Sequence, residues 1–121
     1  MNLNEIRMAR LAGIITEADA NIGHATLSGS ELRVDSNLLN RLSPLKLGLD
    51  HIGMGDFKTT KPLALQGVGN VELQFLRQSD RVDGFVGRAH KVVMYNDSDS
   101  RVSDPNAFKQ LFQIFKKNRI I

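Results

Sequence analysis

Imidazole is the side chain whose ordinary titration falls near neutral pH, so proton-transfer or metal chemistry in this sequence would start from His24, His51 and His90. No two of them stand in HxxxH or HExxH spacing. His51 has the fullest local setting: Asp50 precedes it, Asp56 follows five residues on, and Gly53 and Gly55 lie between, a grouping that could relay a proton or hold a cation. Successive strand side chains point to opposite faces, however, so Asp50 and His51 converge only if the backbone turns between them. Without that turn, His51 is a structural histidine. The run Arg88-Ala89-His90-Lys91 offers different chemistry. On a strand, Arg88 and His90 would share one face and, with Lys91, form an anion or nucleic-acid contact patch; the plainer alternative is the solvent side of a sheet.

Other motifs carry less. Gly53-Met54-Gly55 and Gly67-Val68-Gly69 lack the Walker spacing and the Lys-Ser or Lys-Thr pair of a phosphate loop, and are expected to be turns. Asp97-Ser98-Asp99-Ser100-Arg101 begins like a calcium loop, but no glycine stands at its sixth position and Phe108, not an acid, occupies its twelfth, with Lys109 next. The serines sit in turn or cap contexts and none lies in a GxSxG elbow. Cysteine is absent, which excludes disulfides, thiolate metal sites and thiol catalysis. No cofactor or metal-ligand set is expected.

Positioning any of these residues falls to elements that 121 residues can build as one domain, and a chain of this size with 41% hydrophobic residues can bury a core without staples. No apolar run exceeds four residues, so no transmembrane helix is expected. The amino terminus also lacks the blocks of a secretory signal, and a cytoplasmic setting is the expectation. Charge is uneven: residues 1–60 hold six basic and seven acidic side chains, whereas residues 61–121 hold ten and six. A balance of +3 favours anionic partners only weakly once salt screens exposed charges. Stacking on bases needs rings along a basic face, and Phe85 with Tyr95 offers a partial version.

Apolar positions Leu3, Ile6, Leu11 and Ile14 predict a helix over about Asn4 to Ala12, stopping at Gly13, with a further short turn capped by Thr16. Ala25-Thr26-Leu27 and Leu32-Arg33-Val34 alternate across Ser28-Gly29-Ser30, the pattern of a β-hairpin. Ser36 stands as the cap of a short helix through Leu38 and Leu39 that must close before Pro44. Alternation then predicts a strand through Leu45, Leu47 and Leu49, a loop-rich middle from His51 to Lys61, and strands at Leu63–Leu65 and Val71–Phe75. Phe85 to Tyr95 is expected to be one long strand or two joined by a bulge. Asp104-Pro105 opens a helix whose Phe108, Leu111, Phe112 and Phe115 form one apolar stripe, with Lys116, Lys117 and Arg119 at its end.

The opening Leu3-Asn4-Glu5-Ile6-Arg7, followed by Leu11-Ala12-Gly13-Ile14, resembles the L-x-E-h-R and L-A-G-h openings of small proteins encoded by tailed bacteriophages. It covers about a tenth of the chain, and Met8-Ala9-Arg10 separate two halves that lie closer in the family pattern. The resemblance implies a virion component or an accessory factor that binds host or phage macromolecules. It assigns no residue a role.

The fold expected is a single α+β domain over 1–121, with 1–22 as a helical amino-terminal segment. A mostly antiparallel sheet of four to six strands follows, and a carboxy-terminal amphipathic helix packs on it. The function expected is a non-catalytic interaction or assembly protein, in the host cytoplasm or the virion if phage-encoded, with a protein partner or self-association and no membrane. Arg7, Met8 and Arg10 are the candidate partner contacts; Arg88, His90 and Lys91 are the candidate anion contacts. Two alternatives stand beside it: a basic nucleic-acid-binding regulator, and a small enzyme using His51 with nearby acids.

Overall fold

Alternating apolar residues organise the chain into short antiparallel strands, seen in a computed structural model that describes residues 22–121. The expected helix over Asn4 to Ala12 and the candidate contacts Arg7, Met8 and Arg10 lie outside the described residues. The hairpin is present as β1 (Ala25–Ser28) and β2 (Glu31–Val34), paired from Ala25↔Val34 to Ser28↔Glu31. A short helix α1 (Ser36–Leu39) follows, capped by Asp35 rather than Ser36: the Asp35 carboxylate accepts from the Leu38 amide. A 3-10 turn at Ser43–Leu45, with Pro44 inside it, ends on Lys46 in the left-handed region at φ 55°. That reversal prevents the strand expected from Leu45, and extended backbone resumes only at β3 (Leu49–His51).

The middle expected to be loop-rich is instead a hairpin of β3 with β4 (Phe57–Thr59), followed by β5 (Leu63–Leu65) and the nine-residue β6 (Gly69–Arg77). β3 and β4 carry too little alternation to stand out, but Phe57 opposite Phe75 and Thr59 beside Leu73 place them in the sheet. The Thr59 hydroxyl accepts the Leu73 amide at 3.0 Å, serving where a neighbouring carbonyl would. The last strands are β7 (His90–Asn96) and β8 (Arg101–Val102), and helix α2 (Pro105–Lys117) closes the fold. The extended run expected from Phe85 starts only at His90, because Gly84 and Gly87 take φ of 87° and 79° and curl residues 78–89 into a loop.

All pairings are antiparallel, in the order β1-β2-β7-β6-β4-β3, with β8 sharing the β2 edge of β7 and β5 sharing the β4 edge of β6. Among the described residues the sheet is thus six lanes wide and contains eight strands. Its inner face presents Leu32, Val34, Val71, Leu73, Phe75, Val92 and Met94, all buried, to Phe108, Leu111 and Phe115 of α2 and to Leu38, Leu39, Leu42 and Leu47. Opposite parity puts Arg33, Lys58, Glu72, Gln74 and Lys91 on the outer face. No helix among the described residues is long and apolar enough to cross a membrane.

α2 begins as its sequence dictates, with the Asp104 carboxylate accepting the Asn106 amide at 3.0 Å and Pro105 in the first turn. Gln110 then docks it on the sheet: its carbonyl accepts the Gln66 amide at 2.9 Å and its amide donates to the Gln66 carbonyl at 2.7 Å. The pair mimics a strand bridge between a side chain and the β5–β6 turn. Gln110→Ala is expected to cost about 1 kcal/mol in urea unfolding, the net worth of a solvent-accessible polar pair. A loss below a few tenths would show the clip to be idle.

Candidate functional site

Antiparallel pairing carries a distinctive set of residues to one end of the sheet. β2 ends there at Val34, β6 ends there at Arg77, and β7 begins there at His90; the β3–β4 turn (residues 52–56) and the loop 78–89 project from the same end. The large exposed hydrophobic side chains among the described residues are Ile52, Met54 and Val86, and all three belong to these two connections. Met54 is 90% exposed at the turn's tip. Scattered surface hydrophobics are ordinary; their restriction to two connections at one end of the sheet is what singles this end out as a candidate interaction site. Charge there is balanced, with Arg77, Arg81 and Arg88 set against Asp56, Asp80 and Asp83.

The β3–β4 turn is tethered. Ile52 donates its amide to the Asp56 carbonyl at 2.9 Å, and the Asp56 carboxylate accepts the Arg77 amide at 2.9 Å. Between them, the Gly55 N–H is shared between the Gly53 carbonyl at 2.7 Å and, more weakly, His51 Nε2 at 3.3 Å, and the Gly55 carbonyl accepts from His90 Nε2 at 3.1 Å. The Phe57 ring lies between, 5.1 Å from the His51 ring and 6.2 Å from the His90 ring. Gly55 has φ of 92°, and a Cβ there would fall 2.5 Å from Arg77 Cδ, so the turn requires glycine for both conformation and space.

The loop 78–89 is fixed by Asp35, which is fully buried. One carboxylate oxygen accepts the His24 amide at 3.0 Å and the Leu38 amide at 2.9 Å; the other accepts His24 Nδ1–H at 2.9 Å and the Val86 amide at 3.0 Å. A single side chain thereby joins the entry to β1, the start of α1 and the exposed loop, and four donors satisfy its charge. The Ser36 amide also donates to the Val86 carbonyl at 3.2 Å. A hollow of about 560 Å³ inside this loop is lined by residues between Ser79 and Arg88, and none of its lining residues is a histidine.

No known family model, curated protein or solved structure matches this chain.

The residues proposed from the sequence fall as follows. Asp50 is paired with Lys58 and has the parity opposite to His51, while Asp56 spends its carboxylate on Arg77, so the imagined carboxylate–imidazole cluster at His51 does not assemble. Arg88, His90 and Lys91 are not one patch: Arg88 precedes the strand and is exposed, His90 is turned inward at 4% exposure, and Lys91 lies on the outer face. Among the described residues no group of three or more His, Cys, Asp or Glu could hold a metal ion. The Asp35–His24 pair went unseen in the sequence. Its signal was Asp35 itself, standing one residue before the position assigned to the cap.

Proposed function

We propose that this chain is a non-catalytic interaction or assembly protein that binds a protein surface through the β3–β4 turn and the loop 78–89. The observation that carries this reading is that Ile52, Met54 and Val86, all exposed, fall on two connections at one end of the sheet, which His90 and Asp35 tether. Side chains ordered before docking lose less freedom on binding, so a tethered apolar tip binds better than a slack one. Methionine suits such a tip because its flexible thioether adapts to an irregular socket. Balanced charge around the tip favours a protein over a phosphate backbone as partner. A structural or accessory role in a tailed-phage particle is the specific form of this reading suggested by the resemblance of the opening residues.

Light scattering on the purified chain and on material co-purified with it tests the proposal. A particle heavier than the 13.5 kDa monomer is expected, and Met54→Asp should return it to monomer mass. A weakening of tenfold or more, about 1.4 kcal/mol, is the effect expected for loss of a central apolar anchor. Monomer mass throughout, or a complex indifferent to Met54→Asp, would refute this docking end. Co-purifying nucleic acid released by Arg88→Ala with Lys91→Ala would support the regulator reading instead.

A further inference from the structure

We propose that the cleft where β8 meets β2 binds the phosphate group of a small molecule between Lys91 and Arg101. The strand pairing creates this cleft. β7 has seven residues, and along one edge β2 covers His90 to Val92 while β8 covers Met94 and Tyr95. β8 and β2 therefore follow one another in a single lane, with a break where the end of one faces the start of the other. A cleft of about 380 Å³ opens at that break, with Ser30 and Glu31 on the β2 side and Arg101 and Ser103 on the β8 side. Phe108 of α2, buried under the sheet, lines it from the inner side.

The charges at this opening are not matched. Lys91 and Tyr95 share a parity on β7 and Arg101 stands opposite Tyr95, so both cations rise from the outer face at the one cleft. Among the described residues neither makes an ion pair or a side-chain hydrogen bond. The acids beside them are already engaged: the Glu31 carboxylate accepts from Arg33 at 3.0 Å, and the Asp104 carboxylate, next to Ser103, accepts the Asn106 amide. The hydroxyls of Ser30 and Ser103 likewise have no partner among the described residues. Two cations in one concavity repel each other, and an anion seated between them removes that repulsion.

The donors indicate which anion. An arginine fork gives two parallel hydrogen bonds to a phosphate, lysine adds a mobile point charge, and two hydroxyls can donate to the remaining oxygens. Such a set exceeds what the two oxygens of a carboxylate can use and suits the three terminal oxygens of a phosphate monoester. The cleft is near the lower end of the range of small-molecule sites, about 300–1,000 Å³, and Phe108 offers an apolar wall to the carbon part of an ester. The anion contact expected at Lys91 is thereby shared with Arg101 on the neighbouring strand. No residue of the cleft belongs to the β3–β4 turn or the loop 78–89, so its test and that of the docking end are independent.

NMR titration of the isotope-labelled full chain tests the cleft, with phenyl phosphate, inorganic phosphate and benzoate as probes. Phenyl phosphate is expected to give saturable shifts at the amides of Ser30, Lys91, Arg101 and Ser103, with a Kd of about 1 mM or lower. Lys91→Gln and Arg101→Gln should each weaken binding about tenfold, whereas Lys58→Gln, which removes an outer-face cation away from the cleft, should leave it unchanged. None of these side chains belongs to the core, so the variants keep the fold. Tighter binding of phenyl phosphate than of inorganic phosphate would assign the cleft to an organic monoester, and equal binding would assign it to free phosphate. Benzoate bound as tightly as phenyl phosphate, shifts that never saturate, or affinity unmoved by both Lys91→Gln and Arg101→Gln would overturn the proposal.

Discussion

Asp35→Ala is expected to destabilise the protein by about 3–5 kcal/mol, because several donors lose their shared acceptor at about 1–3 kcal/mol each. Alanine would leave the His24, Leu38 and Val86 amides and the His24 imidazole facing a space that no longer holds an acceptor. The damage should be directional. Loss of the Val86 tether frees the loop 78–89, so trypsin should cut after Arg81 and Arg88 faster in the variant than global unfolding alone allows. Asp104→Ala is the control, since it removes a cap that is exposed and makes a single bond, at a cost near 1 kcal/mol. A loss of less than about 1 kcal/mol for Asp35→Ala in urea unfolding would mean that water reaches these donors and the hub is dispensable.

The second large effect is in the carboxy-terminal helix. Phe115 is fully buried against the sheet, and Phe115→Ala should cost about 3–5 kcal/mol through lost apolar contact and the cavity left behind. Phe112 belongs to the same sequence stripe but is only half-buried, with the Lys116 ammonium 5.0 Å from its ring centre. Its replacement by alanine should cost less than half as much. Denaturant unfolding of the two variants decides this, and equal losses would show that α2 is rotated from the position described. The heptad-like spacing identifies both residues as apolar-face positions; only packing ranks them.

That contrast shows what sequence conveys here. Strong periodicity made the β1–β2 hairpin, β6 and α2 legible, and Asp104-Pro105 fixed the start of α2 to the residue. Short elements escaped: β3 and β4 have three residues each, and their place depends on Phe57 meeting Phe75 and on the Thr59 hydroxyl meeting a β6 amide, contacts distant along the chain. Left-handed residues moved boundaries, with Lys46 ending one expected strand and Gly84 and Gly87 delaying another. The three histidines stand out in the sequence by residue type alone, and their contacts are not legible there. His51 and His90 are 39 positions apart and meet at the peptide of Gly55, while His24 finds Asp35 across the first hairpin. Glycine-flanked Met54 is visible as a turn residue; that it is exposed at the same end of the sheet as Val86 emerges only from strand order.

The claim on which the functional reading depends is that contacts concentrate at one end of the sheet. Site-specific photo-crosslinking tests it most directly, with a benzophenone side chain placed at Met54 on that end and, separately, at Ser98 in the turn between β7 and β8 at the other. In cells where the chain occurs naturally, position 54 is expected to yield a discrete protein adduct, a second copy or a partner, that Val86→Asp suppresses, while position 98 yields none. Adducts of equal yield from both positions, or adducts from position 98 alone, would contradict it.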